Sequence, residues 1–159
     1  MWIAGEWTDA EDGSTSDVLN PATGEVIATT PKATITDVER CVAASRAALK
    51  SKEWAAMDPA QRGRILQKMA AATYANAKSL AAVESTNNGK TFREALSEIR
   101  YGAWTLEYFA GLSDKIEGST IPVPGSRLNY TLRQPLGVTA HIVPWNFPLQ
   151  LAIRSIAPA

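Results

Sequence analysis

Asn146 is the residue of this sequence whose type and position are best suited to chemistry. Two prolines, Pro144 and Pro148, bracket it, and they fix a rigid turn because neither a strand nor a helix continues through them. An asparagine amide donates hydrogen bonds while remaining neutral, so it neither titrates nor competes as an acid. On the local pattern alone, however, a turn asparagine that bonds its own backbone is the more common arrangement.

The elements predicted on either side of this turn are a strand and a helix. Residues 138–143 are almost all β-branched or apolar, which is typical of a parallel strand covered on both faces. A helix is predicted from about Pro148 through Ile156. A strand, a tight turn and a helix form the junction at which open α/β sheets bind ligands, so a reaction site is expected here.

The stretch Pro144-Trp-Asn-Phe-Pro148 resembles the signature of the NAD(P)-dependent aldehyde dehydrogenases. Four further stretches resemble amino-terminal landmarks of that family, in its order and at about its spacing: residues 1–7, 20–26, 84–90 and 134–138. The resemblance therefore covers the whole chain. It implies an α/β fold: the amino-terminal part of the family's cofactor-binding domain, with small hairpins, helices, the first strand of a parallel sheet, and an oligomerisation strand.

The resemblance also implies oxidation of a small-molecule aldehyde to a carboxylic acid with NAD or NADP as cofactor. In this family a cysteine thiolate adds to the carbonyl, hydride passes from the hemithioacetal to nicotinamide, and the thioester is hydrolysed. Asn146 matches the catalytic amide that donates to the carbonyl oxygen as it becomes negative. In the family, one stretch lines the dinucleotide channel, and it is matched here by Ile142, Val143, Pro144 and Trp145. For each of these residues, packing at the end of a strand is an equally good explanation.

Several groups that the family uses have no match in this sequence. The lysine and acidic groups that hold the cofactor ribose, the glycine-rich turn, the general-base glutamate and the nucleophilic cysteine lie further along the chain in that family. The chain is therefore interpreted as a truncated form. Two alternatives remain: a compact chain with its own residual aldehyde oxidation, using Asn146 with Cys41 as a substitute nucleophile, and a non-catalytic oligomerisation or interaction module that pairs through residues 127–134.

Three parts are expected along the chain. Residues 1–118 would be the amino-terminal part of the cofactor-binding domain, residues 119–136 a linker and oligomerisation strand, and residues 137–159 the truncated first strand, turn and helix of the dinucleotide-binding sheet. Within the second part, apolar and polar residues alternate over residues 127–134, as in a half-exposed strand. In the family the corresponding strand pairs across subunits, which implies a homo-oligomer.

Two hairpins and then three helices are predicted in the first part. The hairpins lie within residues 2–7 and 19–29. The helices begin at the capping residues Thr34, Asp58 and Thr91; the second is expected to run to Asn88, and the third to pack an aromatic face against the sheet. The first helix is expected to turn inward an apolar stripe that consists of Ile35, Val38, Val42, Ser45 and Leu49.

Composition argues against several classes of protein. Sixteen basic residues balance sixteen acidic ones without a basic run, so neither a nucleic-acid partner nor a membrane partner is expected. The absence of a secretory signal and the single cysteine, Cys41, favour a cytoplasmic setting. With His141 the only histidine, no metal site of the usual ligands is expected. Cys41 is expected to be a small packing residue in the first helix, and His141 a core or edge residue of the strand.

The stretch Gly89-Lys90-Thr91 resembles the end of a phosphate-binding loop. The position five residues before Gly89 is Glu84, however, so the first glycine of such a loop is absent. The sequence also contains no GxGxxG pattern. Neither of these two phosphate-binding motifs is therefore predicted in this sequence.

Overall fold

The structure, a computed structural model, describes residues 1–159 as six helices and six short strands. The helices are α1 (Ile35–Lys50), α2 (Lys52–Ala55), α3 (Pro59–Ala75), α4 (Ala77–Asn88), α5 (Phe92–Leu112) and α6 (Pro148–Ile156). The strands are β1 (Trp2–Ile3), β2 (Glu6–Trp7), β3 (Thr15–Leu19), β4 (Val26–Pro31), β5 (Thr120–Ile121) and β6 (Asn129–Tyr130). No helix is both long enough and apolar enough to span a bilayer.

The strands pair as three separate antiparallel hairpins. β1 and β2 pair Trp2 with Trp7, whose rings meet edge to face with their centroids 5.2 Å apart. β3 and β4 form the longest hairpin, with a register shift between Val18 and Leu19. The predicted hairpin of residues 2–7 therefore forms, and the second forms over Thr15–Pro31, wider than the predicted residues 19–29. The α/β class is confirmed as helices with small sheets.

The predicted helix starts are confirmed at all three capping residues. At α1 the Thr34 side chain accepts from the backbone N–H of Asp37, and the Asp37 carboxylate accepts from the backbone N–H of Thr34. Asp58 caps α3, with Pro59 in the first position, and Thr91 caps α5. These side chains satisfy backbone donors that the first helical turn leaves unpaired.

The predicted second helix is wrong in its length, because two helices occupy that stretch. α3 ends at Ala75, and α4 begins at Ala77. Asn76 between them leaves helical geometry, with φ −101° and ψ 11°, and its side-chain amide donates to the carbonyl of Ala72 at 2.8 Å. A side chain that bonds the preceding turn in this way marks the end of α3, and α4 begins directly after it.

The core lies where α5 packs against α3, α4 and α6. One buried cluster joins Ala70, Leu106, Ile153 and Ala157, and a second joins Ala77, Ala81, Ala95 and Ile99. Leu149, at the start of α6, packs against both clusters. α5 therefore fixes the position of α6, which follows directly on the Asn146 turn.

The predicted buried strand at residues 138–143 does not form. These residues belong to no strand, and the side chain of Ile142 is fully exposed. A strand requires neighbours for its backbone N–H and C=O groups, and no other strand of this chain lies beside this segment to provide them. The apolar composition of this segment is typical of a strand that is covered on both faces. No other part of the 159-residue chain covers it in that way.

Two faces that were expected to pack inward are partly or largely exposed. Ile35 and Val38, on the predicted stripe of α1, lie in solvent, and the buried residue of that helix is Asp37. Trp104 and Tyr108 on α5 are half exposed, because the buried face of that helix is formed by smaller residues that contact the other helices. The aromatic face has no sheet to pack against within this chain.

Residues 127–134 form a shorter strand than predicted. Only Asn129 and Tyr130 are in a strand, β6, which pairs with Thr120 and Ile121 of β5. The alternating apolar residues Leu128 and Leu132 remain exposed on either side. The pairing seen is therefore internal to the chain.

Candidate active site

Asn146 lies in the turn that the two prolines predicted. Trp145 and Asn146 form the turn, and α6 begins at Pro148, with the carbonyl of Phe147 accepting the first bond of that helix from the backbone N–H of Leu151. The Asn146 side chain is exposed and makes no hydrogen bond. Its amide is therefore free to donate to a bound molecule.

Two asparagines at other turns of this chain show the local alternative. The side chains of Asn20 and Asn88 each accept from the backbone N–H two residues further on, at 2.9 Å and 3.1 Å. This is the local bonding that turn asparagines commonly make. Asn146 also lies in a turn, but its side chain does not make this local hydrogen bond.

The carbonyl of Asn146 is held by a lysine that is distant in sequence. Lys90 Nζ donates to the Asn146 carbonyl oxygen at 2.6 Å and lies 4.5 Å from the ring centroid of Phe147. This is the only hydrogen bond that joins residues 144–147 to an element other than α6. The turn is thus fixed from one side by α6 and from the other by Lys90.

Lys90 is in turn held by two glutamates. Its Nζ donates to Glu98 Oε2 and lies 3.0 Å from Glu84 Oε1, and the side chain of Glu84 is only 5% exposed. Burial raises the pKa of the Glu84 carboxyl, and the adjacent Glu98 raises it further against the opposing effect of Lys90. Burial alone would lower the pKa of Lys90, but its bonds to Glu98 and Glu84 outweigh that effect and raise it. Lys90 therefore remains an ammonium at neutral pH.

The four candidate cofactor residues form an uncovered apolar segment beside the turn. Ile142 is fully exposed, Trp145 is 77% exposed, Pro144 is exposed and Val143 is half-buried. These residues belong to no strand and lie directly before or within the turn.

Cys41 and His141 are not brought into contact with this turn by any hydrogen bond or ion pair. Cys41 lies in α1 as predicted, but its side chain is exposed, so the prediction of a packing role is wrong. α1 packs mainly on α2 and β1, which leaves its outer face uncovered. His141 is exposed outside any strand, with Nε2 2.9 Å from Thr139 Oγ1, so its predicted place in a strand is also wrong.

Sequence reasoning missed the lysine and the two glutamates. The signal was present, because residues 84–90 stood out as a landmark and Glu84 and Lys90 are its first and last members. The contact of Lys90 with Asn146 spans 56 positions along the chain. No local spacing rule predicts a contact over that distance.

Comparisons with known proteins agree on one family. The model of the aldehyde dehydrogenase family matches residues 7–159. The chain is 42% identical over 159 residues to hydroxyisobutyraldehyde dehydrogenase of Mycolicibacterium austroafricanum, which covers all of this chain and 31% of that protein.

Solved structures show the same relationship. A variant of the aldehyde dehydrogenase of Bacillus cereus superposes with a TM-score of 0.96 at 37% identity, over 99% of this chain and 32% of that one. A betaine aldehyde dehydrogenase variant of Staphylococcus aureus, solved with NAD+, superposes with a TM-score of 0.93 at 35% identity, again over 99% and 32%. The chain spans about a third of the length of these relatives. With the family model matching nearly every residue, the chain belongs to the aldehyde dehydrogenase family.

Proposed function

We propose that these residues are the part of an NAD(P)-dependent aldehyde dehydrogenase that supplies the amide donor for the reacting oxygen. The substrate is a small aldehyde and the product its carboxylic acid. The observation that carries the proposal is the Asn146 side chain, which makes no hydrogen bond in a turn whose backbone is held by both Lys90 and α6. A donor held ready in this way is what a developing oxyanion requires.

The chemistry assigned to Asn146 is stabilisation of negative charge. When a thiolate adds to an aldehyde, the sulfur–carbon bond forms and the π electron pair moves onto the carbonyl oxygen. The Asn146 N–H donates to that oxygen, and it does so again when water adds to the thioester. A preorganised donor of this kind contributes about 3 to 4 kcal/mol to the stability of the transition state.

Ile142, Val143, Pro144 and Trp145 are proposed to line the cofactor channel. NAD or NADP, when bound, supplies the acceptor for the hydride. The segment leads directly into the Asn146 turn, so a molecule lying along it would reach the carbon whose oxygen Asn146 holds. The betaine aldehyde dehydrogenase with the same fold was solved with NAD+, which supports a dinucleotide as the ligand.

Residues 119–136 are proposed as a linker and oligomerisation strand, between the part formed by residues 1–118 and the dinucleotide-binding part formed by residues 137–159. Leu128 and Leu132 expose 75% and 69% of their surface beside β6. Apolar residues on an uncovered strand edge favour pairing with another chain. A non-catalytic oligomerisation module would use the same surface, and this is the second candidate function.

The first test is the mass and activity of the protein as it occurs naturally. Protein isolated from its source with an antibody against residues 1–159 would be measured by intact mass spectrometry and assayed for NADH or NADPH formation with several aldehydes. We expect a mass well above the 17.1 kDa of this sequence, together with aldehyde-dependent turnover. A protein of higher mass that binds neither NAD nor NADP and oxidises no aldehyde would contradict the proposal and favour the oligomerisation module.

A further inference from the structure

The backbone of Lys90 is fixed before its side chain makes any contact. α4 ends at Asn88 and is capped by Gly89, whose φ of 79° is left-handed and therefore suited to glycine. The backbone N–H of Lys90 donates to Asn88 Oδ1 at 3.1 Å, and its carbonyl accepts from Ser85 Oγ at 2.7 Å. These bonds reverse the chain and place the side chain of Lys90 between α5 and the turn before α6.

The charges around Lys90 explain why its ammonium group stays between α5 and the turn before α6. Glu84 and Glu98 lie on α4 and α5, and their side chains are 5% and 14% exposed. Two nearly buried carboxylates destabilise each other unless a cation lies between them. With the side chain of Lys90 only 14% exposed, its ammonium group is confined to a position that these two carboxylates define.

Besides these two carboxylates, Lys90 contacts the carbonyl of Asn146, to which its Nζ donates. Residues 131–143 contain no regular element that could hold the turn from its amino side. The bond from Lys90 is consequently the single polar contact from another element that sets where the Asn146 backbone lies.

We propose that Lys90 is a positioning residue, whose ammonium group, held by Glu84 and Glu98, fixes the Asn146 carbonyl and thereby directs the Asn146 amide toward the oxygen of the substrate. The inference rests on the proposed function, since it assigns the direction of the amide a role in catalysis. Lys90 itself does not contact the substrate in this proposal. It acts on the reaction only through Asn146.

A structural test needs variants that remove the contact between Lys90 and the Asn146 carbonyl without unfolding the chain. Lys90→Met alone leaves two nearly buried carboxylates without a cation, which can unfold the chain. The informative variant therefore combines Lys90→Met with Glu84→Gln and Glu98→Gln, which removes all three charges while preserving side-chain size. Lys78→Met, an exposed lysine of α4 without an ion pair, is the matched control.

The measurement is backbone order by nitrogen relaxation in the perdeuterated 159-residue chain, in which relaxation remains measurable in an oligomer. In the wild type and in Lys78→Met we expect order parameters near 0.85 at Trp145, Asn146 and Phe147, and in the triple variant a fall to below about 0.6. Residues of α5 should retain their values in all three chains. A triple variant whose turn keeps the wild-type order parameters would overturn the inference.

A kinetic test on the full-length enzyme separates this inference from the proposed function. The triple variant with Lys90→Met, Glu84→Gln and Glu98→Gln should lower kcat by about tenfold or more with little change in KM, because misplacement of a catalytic group acts on the transition state, and Lys78→Met should leave kcat unchanged. In an Asn146→Ala background the same three substitutions should cost little more, since the group that Lys90 positions is already gone. Fully additive losses would contradict the positioning role. If Asn146→Ala itself left kcat unchanged, the proposed function would fail, while the relaxation result would still decide whether Lys90 orders the turn.

Discussion

At the scale of single residues, the Asn146 amide is the group on which the proposed chemistry depends. Removing it in the full-length protein by Asn146→Ala should lower kcat by roughly a hundredfold or more, as loss of one oxyanion donor does in other enzymes. Asn146→Asp keeps the shape but places a carboxylate where negative charge develops, so turnover should fall at least as far. Steady-state kinetics and thermal unfolding of both variants would be measured together. Unchanged turnover with a wild-type melting curve would rule out the role.

Asp37 gives a second prediction at this scale, for stability as a function of pH. Its carboxylate accepts from the backbone N–H of Thr34 at 3.0 Å and, against some cost of burial, from that of Glu11 at 3.2 Å, so its pKa is lowered. A lowered pKa in the folded state stabilises the fold above the unfolded-state pKa, and this contribution is lost as the pH falls through the folded-state value.

The corresponding substitution is Asp37→Asn, followed by thermal unfolding between pH 7 and pH 2. We expect a lower Tm than wild type at pH 7 and a difference that shrinks below about pH 4, because protons then bind the unfolded-state carboxylate and, at still lower pH, the folded-state carboxylate, whose pKa is lowered. Asp17→Asn, which removes an exposed carboxylate of β3 that makes no ion pair, should leave the Tm at pH 7 near that of the wild type. A Tm difference for Asp37→Asn that stayed constant down to pH 2 would show that its charge is not the cause.

At the scale of elements, the close approach of α3 to α5 depends on Gly63. A Cβ added there would lie 2.7 Å from the carbonyl oxygen of Ala110, which is backbone and cannot move without shifting α5. Gly63→Ala gains about 1 kcal/mol of helix propensity, but overpacking of this kind costs about 1 to 3 kcal/mol, so we expect net destabilisation. Gly111→Ala on α5 meets nothing within 4 Å and should instead stabilise by up to about 1 kcal/mol. Urea unfolding of the two variants would show these opposite signs, and stabilisation by both would contradict the packing argument.

The elements also show which features a sequence can predict. Thr34, Asp58 and Thr91 act on backbone groups within three residues of themselves, so their caps were predictable from local spacing. The strand predicted at residues 138–143 depends on neighbouring strands, and pattern alone does not say whether those neighbours lie within the same 159 residues. The turn around Asn146 was predictable from its prolines. The contact of Lys90 with this turn was not predictable, because only the packing of α5 against α4 and α6 brings the two together.

At the scale of the whole molecule, the uncovered apolar surface predicts association. Leu128, Leu132, Leu136 and Ile142 are each at least 69% exposed; Leu128 directly precedes β6, and the other three lie between β6 and the Asn146 turn. Patches and strand edges of this kind bind to copies of themselves when nothing else covers them. The 159-residue chain alone should therefore form oligomers in light scattering, and Leu128→Ser with Leu132→Ser should shift it toward monomer. Val83→Ser, which changes an exposed apolar residue of α4, is the control. A wild-type chain that stayed monomeric at high concentration would count against the prediction.

Across the whole molecule, no group is placed so that it would activate the thiol of Cys41 as a nucleophile. Cys41 is exposed in the middle of α1, away from the helix N-terminus, where a thiolate would be favoured. Its neighbour Arg40 points instead to the Asp37 carboxylate, 3.2 Å away, and the only imidazole, His141, lies beside Thr139.

For the 159-residue chain alone we therefore expect no cysteine-dependent aldehyde oxidation. Chain of verified mass would be assayed for NADH and NADPH formation with several aldehydes, in parallel with Cys41→Ser and with the full-length enzyme as positive control. Turnover that Cys41→Ser abolished would contradict this expectation and identify a small enzyme in its own right. Turnover that survived the substitution would exclude a cysteine mechanism, because no other thiol exists in the sequence, and a different nucleophile would have to be found.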